Sequence, residues 1–147
     1  MRIVAGSAGG LHLKVPKGHK TRPTADQVRE AIFNILTSRY EVEGIDVLDL
    51  FAGTGALGIE ALSRGARSAV FVDVSPDAQR SIKENLATTG LRAHGRIIRA
   101  YAAKGIKVAE ELKLRFGGVF LDPPYEEGLV DKTLRSEERR VGKECRL

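Results

Sequence analysis

The sequence predicts an α/β fold built on a mostly parallel, doubly wound sheet, and three observations carry that prediction. Short apolar runs at 45–50, 69–74, 96–100 and 118–121 alternate with helical stretches at about 56–64, 76–88 and 102–113. Strands that alternate with helices imply right-handed crossover units. The first run opens into Asp49-Leu50-Phe51-Ala52-Gly53-Thr54-Gly55-Ala56-Leu57-Gly58, and the last closes on Asp122-Pro123-Pro124-Tyr125, about seventy residues later. A parallel sheet brings both loops to its carboxyl edge, the edge at which open α/β sheets bind ligands.

Before the sheet, residues 2–5 and 11–15 read as two short strands joined by Gly6-Ser7-Ala8-Gly9-Gly10, a small hairpin with Lys14, Lys17 and Lys20 around its far end. Thr24 followed by Gln27 has the spacing of a capping box, so a helix is predicted from there to about Ser38. Its apolar positions Val28, Ala31, Ile32, Ile35 and Leu36 predict one buried stripe, with Gln27, Arg29, Glu30 and Asn34 outside it or at its margins. Arg22 and Arg29 are then free to face a ligand. Phe71, Val72, Val119, Phe120 and Leu121 suit strands covered on both faces. Three segments result: a basic extension at 1–40, the α/β core at 41–134, and a charged tail at 135–147 that lacks apolar periodicity and reads as foreign to the fold.

A chain of 147 residues, 42% apolar and 29% charged, fits one globular domain. The absence of an eighteen-residue apolar run and of a signal-like N-terminus argues against a membrane or secretory destination, leaving a cytoplasmic expectation. The single Cys145 and the scattered His12, His19 and His94 make no metal-ligand spacing, so no metal is expected. The net charge of +5 is unevenly placed. Residues 1–40 hold seven Lys and Arg against two acids, whereas the remainder holds seventeen of each sign. All the excess therefore sits in the extension, as a segment meeting nucleic-acid phosphates requires, although a solvated basic face has the same composition.

Gly53-x-Gly55-x-x-Gly58 matches a dinucleotide-type loop, and Asp73 stands twenty residues beyond Gly53, where an acid binds ribose hydroxyls. The glycines allow a tight turn and close backbone approach to an anionic group at a helix N-terminus near Ala56. An ordinary strand-to-helix turn is the competing explanation of such glycines. In the second motif, two prolines after a strand simply stop it. They leave unexplained an acid at the strand end with an aromatic ring three residues on. Asp122 and the Pro123 carbonyl suit acceptance of hydrogens from a base amine, and Tyr125 suits stacking on an extruded base.

Taken together, Arg2-Ile3 with Gly9-Gly10, the run Thr21-Arg22-Pro23-Thr24-Ala25-Asp26-Gln27-Val28-Arg29-Glu30-Ala31-Ile32-Phe33-Asn34, and Asp49 through Gly65-Ala66 resemble the bacterial 16S ribosomal RNA guanine-N2 methyltransferases of the RsmD type. The similarity covers residues 1 to about 134. It implies a Rossmann-like methyltransferase fold, S-adenosylmethionine as cofactor, and methylation of a guanine exocyclic amine in 16S ribosomal RNA, within an assembling small subunit. The site it implies has Asp122, Pro123 and Tyr125 at the target base and Asp49, Phe51, Ala52, Gly53, Thr54, Gly55, Asp73 and Tyr101 at the cofactor. Lys14, Lys17, Lys20, Arg22 and Arg29 are expected on RNA.

The chain departs from the resemblance at Tyr101, where the family usually carries an acid or amide for the adenine amino group; a tyrosine stacks or hydrogen-bonds but is no carboxylate. Family members also continue through further strands, so the sequence reads as truncated, with the 118–121 strand at an uncovered edge. Two other classes of function compete. An NAD(P)-type oxidoreductase would use Gly53, Gly55, Gly58 and Asp73 but gives Asp122-Pro123-Pro124-Tyr125 no role. A noncatalytic RNA-binding fragment would use the basic extension alone.

Overall fold

The computed structural model describes residues 1–16 and 23–123. Its sheet has four parallel strands in the order β3-β2-β1-β4, with β1 Asp46–Leu50, β2 Ser68–Asp73, β3 Gly95–Arg99 and β4 Gly118–Leu121. Central β1 pairs with β2 from Asp46↔Ser68 to Leu50↔Val72, and with β4 from Val47↔Gly118 to Leu50↔Leu121. The helices are α1 Pro23–Arg39, α2 Ala56–Ser63, α3 Pro76–Thr89 and α4 Ala102–Glu111. None of the described helices is long and apolar enough to cross a membrane.

Side-chain alternation along β1 divides the core in two. Val47 joins Phe71, Ile59, Ile82 and Leu86 on the side of α2 and α3, whereas Leu48 and Leu50 join Val70, Val72 and Ile106 on the side of α4. Covering both faces is what makes the sheet doubly wound. Close helix-to-strand packing explains Gly58: a Cβ there would lie 2.4 Å from the Phe71 ring. It is a packing glycine and does not line the pocket described below. Helix α3 is fixed at both ends, with Ser75 as N-cap before Pro76 and Gly90, at φ 72°, closing its C-terminus.

The N-terminal hairpin forms with a single antiparallel bridge, Arg2↔His12, in place of two longer strands. It is built into the core, because Ile3, Ala8 and Leu13 are buried in the α2-side cluster. Polar anchors from α2 hold it there. Glu60 accepts from Val4 N and Ala5 N at 2.8 and 3.2 Å, and Ser63 Oγ accepts from Ala8 N at 2.9 Å.

Helix α1 corrects two expectations. It begins at Pro23, so Thr24 lies in its first turn and not at its cap. Its buried positions are Arg29 and Phe33, with Leu36 half-buried, whereas Val28, Ala31, Ile32 and Ile35 are exposed. The reason is a fixed pair of contacts at one edge of the apolar arc. The Phe33 ring meets Phe120 of β4 at 5.5 Å, with the Arg64 guanidinium 5.0 Å from its centroid. Arg29 Nε reaches the fully buried Glu60 at 3.3 Å. An ion pair and an aromatic contact choose the inward face, and aliphatic residues are left outside.

Candidate functional site

The carboxyl ends of β1, β2 and β4 surround a cavity of about 1030 Å³. One side is the loop after β1, with Asp49, Phe51, Ala52, Gly53 and Thr54; Asp73 to Ser75 and Ala100 to Ala102 continue the wall. Asp122 and Pro123 line the same cavity from the end of β4. The glycine loop and the first two residues of the second motif therefore open on one chamber.

The glycine loop is held by its own acids. Asp73 Oδ2 accepts from Gly53 N at 2.9 Å, while its Oδ1 accepts from Ser75 N at 2.8 Å. Gly53 sits at φ 57° with nothing nearer than 4.0 Å to the position of a Cβ, so its backbone lies open to the chamber. Phe51 also has φ 57°, a conformation uncommon for a residue with a Cβ and characteristic of strained ligand loops. Ala52 N donates to Val72 O at 3.0 Å, pinning the loop to β2. Gly55 is buried behind the loop as the left-handed N-cap of α2 and is not part of the cavity wall.

Asp49 is fully buried and accepts from Gly58 N at 3.0 Å. Burial pushes its carboxyl up to about 8, with Asp122 and Asp73 adding to the rise and the Gly58 hydrogen bond opposing it. Asp73 and Asp122 thus both lie close enough to oppose ionisation of Asp49. Asp122 is exposed at its rim and Pro123 half-buried. Tyr101, the residue before α4, is 73% exposed and lines the same wall beside Val74 and Ser75. It offers a ring and a hydroxyl at the position where a carboxylate or amide was expected.

The basic residues divide. Lys14 is exposed, with its ammonium 2.9 Å from Glu84. Arg29 is 4% exposed, donating to the Arg2 carbonyl and to Asp26 as well as to Glu60. The expectation that it faces RNA is corrected: its guanidinium is consumed in cross-linking the hairpin, α1 and α2. Lys17, Lys20, Arg22 and Tyr125 lie outside the described residues.

Sequence reasoning overlooked four contributors. Met1, Val28 and Ile32 line the chamber on the α1 side, and Asn85 ties the loop to the hairpin. Asn85 carried a readable signal, since an amide interrupts the buried stripe Ala78, Ile82, Leu86 of α3. Glu60, the lone charge among Leu57, Gly58, Ile59, Ala61 and Leu62, carried the same kind of signal.

Comparison with known proteins identifies the family of the chain. The family described as "Conserved hypothetical protein 95" matches residues 1–141. The chain is 45% identical over 127 residues to the putative rRNA methyltransferase YlbH of Bacillus subtilis, covering 86% of this chain and 68% of that protein. It is 36% identical over 135 residues to ribosomal RNA small subunit methyltransferase D of Escherichia coli K12, covering 91% of this chain and 65% of the relative. The chain thus spans about two thirds of the length of these curated relatives. Among solved structures, the putative methyltransferase yhhF from Escherichia coli superposes with a TM-score of 0.76 at 35% identity, over 94% of this chain and 73% of that one.

Proposed function

Because the chain belongs to the Conserved hypothetical protein 95 family, we propose that it is an S-adenosylmethionine-dependent methyltransferase acting on the exocyclic N2 of a guanine in 16S ribosomal RNA. The observation that carries this reading is the shared chamber, in which the glycine loop and Asp73 face Asp122 and Pro123. Relatives named as rRNA methyltransferases support the substrate class.

The residues present fit the cofactor. Asp73 retains acceptor capacity for ribose hydroxyls beyond its two backbone partners. Phe51, Val74 and Tyr101 supply apolar and aromatic wall for an adenine. Carboxylates at 73 and 122 favour a ligand that carries positive charge, while the buried Asp49 stays protonated near neutral pH. Bound S-adenosylmethionine supplies an electrophilic methyl group on a sulfonium centre. The oxidoreductase alternative fits poorly, because a dinucleotide pyrophosphate needs free backbone N–H groups. Those of Gly53, Ala56 and Gly58 already donate to Asp73, Thr54 and Asp49.

Guanine N2 is a weak nucleophile because its lone pair is delocalised into the ring. Asp122 and the Pro123 carbonyl accept its hydrogens, hold the nitrogen in line with the methyl group, and stabilise positive charge that develops on it. Tyr125 stacks on the base. Lys14, with Lys17, Lys20 and Arg22, meets RNA phosphates, and an assembling small subunit is the proposed setting in the cytoplasm.

Calorimetry with S-adenosylhomocysteine and with NAD is the direct test. Binding of the first and not the second is expected, and the reverse would remove the methyltransferase reading. In the transfer reaction, Asp122→Ala should abolish turnover at saturating cofactor and RNA. Nuclease digestion and mass spectrometry should find the product as N2-methylguanosine.

A further inference from the structure

Asn85 lies in the middle of α3 with 1% of its surface exposed, outside the chamber and with no part in the chemistry assigned above. Its side-chain oxygen accepts from Lys14 N at 2.7 Å. Its amide nitrogen donates to Lys14 O at 2.9 Å and to Thr54 O at 2.9 Å. Both donors and the acceptor are used, which fixes the amide's orientation. The two segments that it joins lie forty residues apart in the chain and belong to different tasks. Lys14 belongs to the basic arm, its exposed ammonium paired with the exposed Glu84. Thr54 lines the chamber, its hydroxyl accepting from Ala56 N at 3.2 Å and donating to Met1 Sδ at 3.3 Å.

We propose that Asn85 is a positioning residue that couples RNA engagement by the arm to cofactor engagement by the glycine loop. A leucine would fill this apolar stripe equally well, but it would leave Lys14 N and the Lys14 and Thr54 carbonyls without their buried partner. One rigid amide gripping both backbones means that a shift of Lys14 on RNA is felt at the Thr54 carbonyl. By linkage, cofactor in the loop must favour the arm conformation that RNA selects to the same degree. The inference rests on the proposed function, in which the loop holds the cofactor and the arm meets RNA.

The test measures the S-adenosylhomocysteine dissociation constant with and without saturating 16S ribosomal RNA. In the unsubstituted chain RNA should tighten cofactor binding by roughly 5-fold or more, within the usual range of coupling between sites. Asn85→Ala and Asn85→Asp should bring that ratio to about 1, the aspartate because it has no N–H for either carbonyl. Glu84→Ala, which breaks only the exposed ion pair with Lys14, should keep it. Hydrogen exchange on the unsubstituted chain gives a measurement independent of how the variants fold. Adding S-adenosylhomocysteine should slow exchange at the Lys14 amide while leaving Gly90 unchanged. No binding of S-adenosylhomocysteine at all would overturn the methyltransferase reading and this inference with it. Binding without RNA enhancement, a ratio preserved in folded Asn85→Ala, or an unaffected Lys14 amide would overturn the inference alone.

Discussion

Helices α1 and α2 are both rich in apolar residues and both feed the same chamber, yet they are buried in opposite ways. In α2 every residue but Leu57 is buried, including the charged Glu60. In α1 the described aliphatic positions Val28, Ile32 and Ile35 remain exposed, while an arginine and a phenylalanine go inward. The difference teaches that periodicity selects a face only where apolar residues occupy one side of a helix. In α1 the apolar arc is wider than the face that is buried, and contacts made by other elements choose its edge at Arg29 and Phe33. Glu60 makes that choice, since it draws Arg29 of α1 to α2, pairs with Arg64 at the C-terminal end of its own helix, and accepts two amides from the hairpin.

The largest test of this contrast is Glu60→Ala. Two nearly buried guanidiniums lose their carboxylate, and removing one partner of a buried pair costs roughly 3–5 kcal/mol. Urea unfolding should register that loss. A variant as stable as the parent would mean that α1 is held by something else. Next comes Phe33→Ala, expected to cost about 3 kcal/mol, the low end for such a truncation because the open side of α1 lets the site relax. Ile35→Ala, at 57% exposure, should stay within about 0.5 kcal/mol. If Ile35 costs more than Phe33, the inward face has been assigned backwards.

A smaller effect separates the chamber from the surface by pH. The native chain holds a proton on Asp49 up to about pH 8, whereas the unfolded chain releases it near 3.8. The stability from this group is therefore full below pH 3.8, declines as pH rises, and is gone above about 8. Asp49→Asn should flatten that decline between pH 5 and 8 in denaturant titrations; an unchanged slope would place the titration elsewhere. The smallest effect distinguishes two cations of the basic extension. Lys14→Ala should lower the slope of log affinity for RNA on log salt by about 1. Arg29→Ala should leave that slope alone and lower stability instead, because its charge is spent on Glu60 and Asp26.

The four sheet strands, the order of helices and the glycine loop were legible in the chain, because short apolar runs, glycines and prolines act locally. Each described strand lies within one residue of its expected bounds. Gly53, Asp73 and Asp122 could likewise be picked out from their motifs and Asp49 through the resemblance, and the tertiary structure brought them to one chamber. Local pattern could not tell Arg29 from Lys14, since both are cations in the same basic segment. Only the fold places a buried carboxylate beside one and solvent beside the other. The same holds for Asn85, whose amide has meaning only because the hairpin and the glycine loop meet over α3. What the sequence determined were properties set within a few neighbouring residues. Burial of charge and the pairing of distant backbones depend on partners far away in the chain, and those the tertiary structure decided.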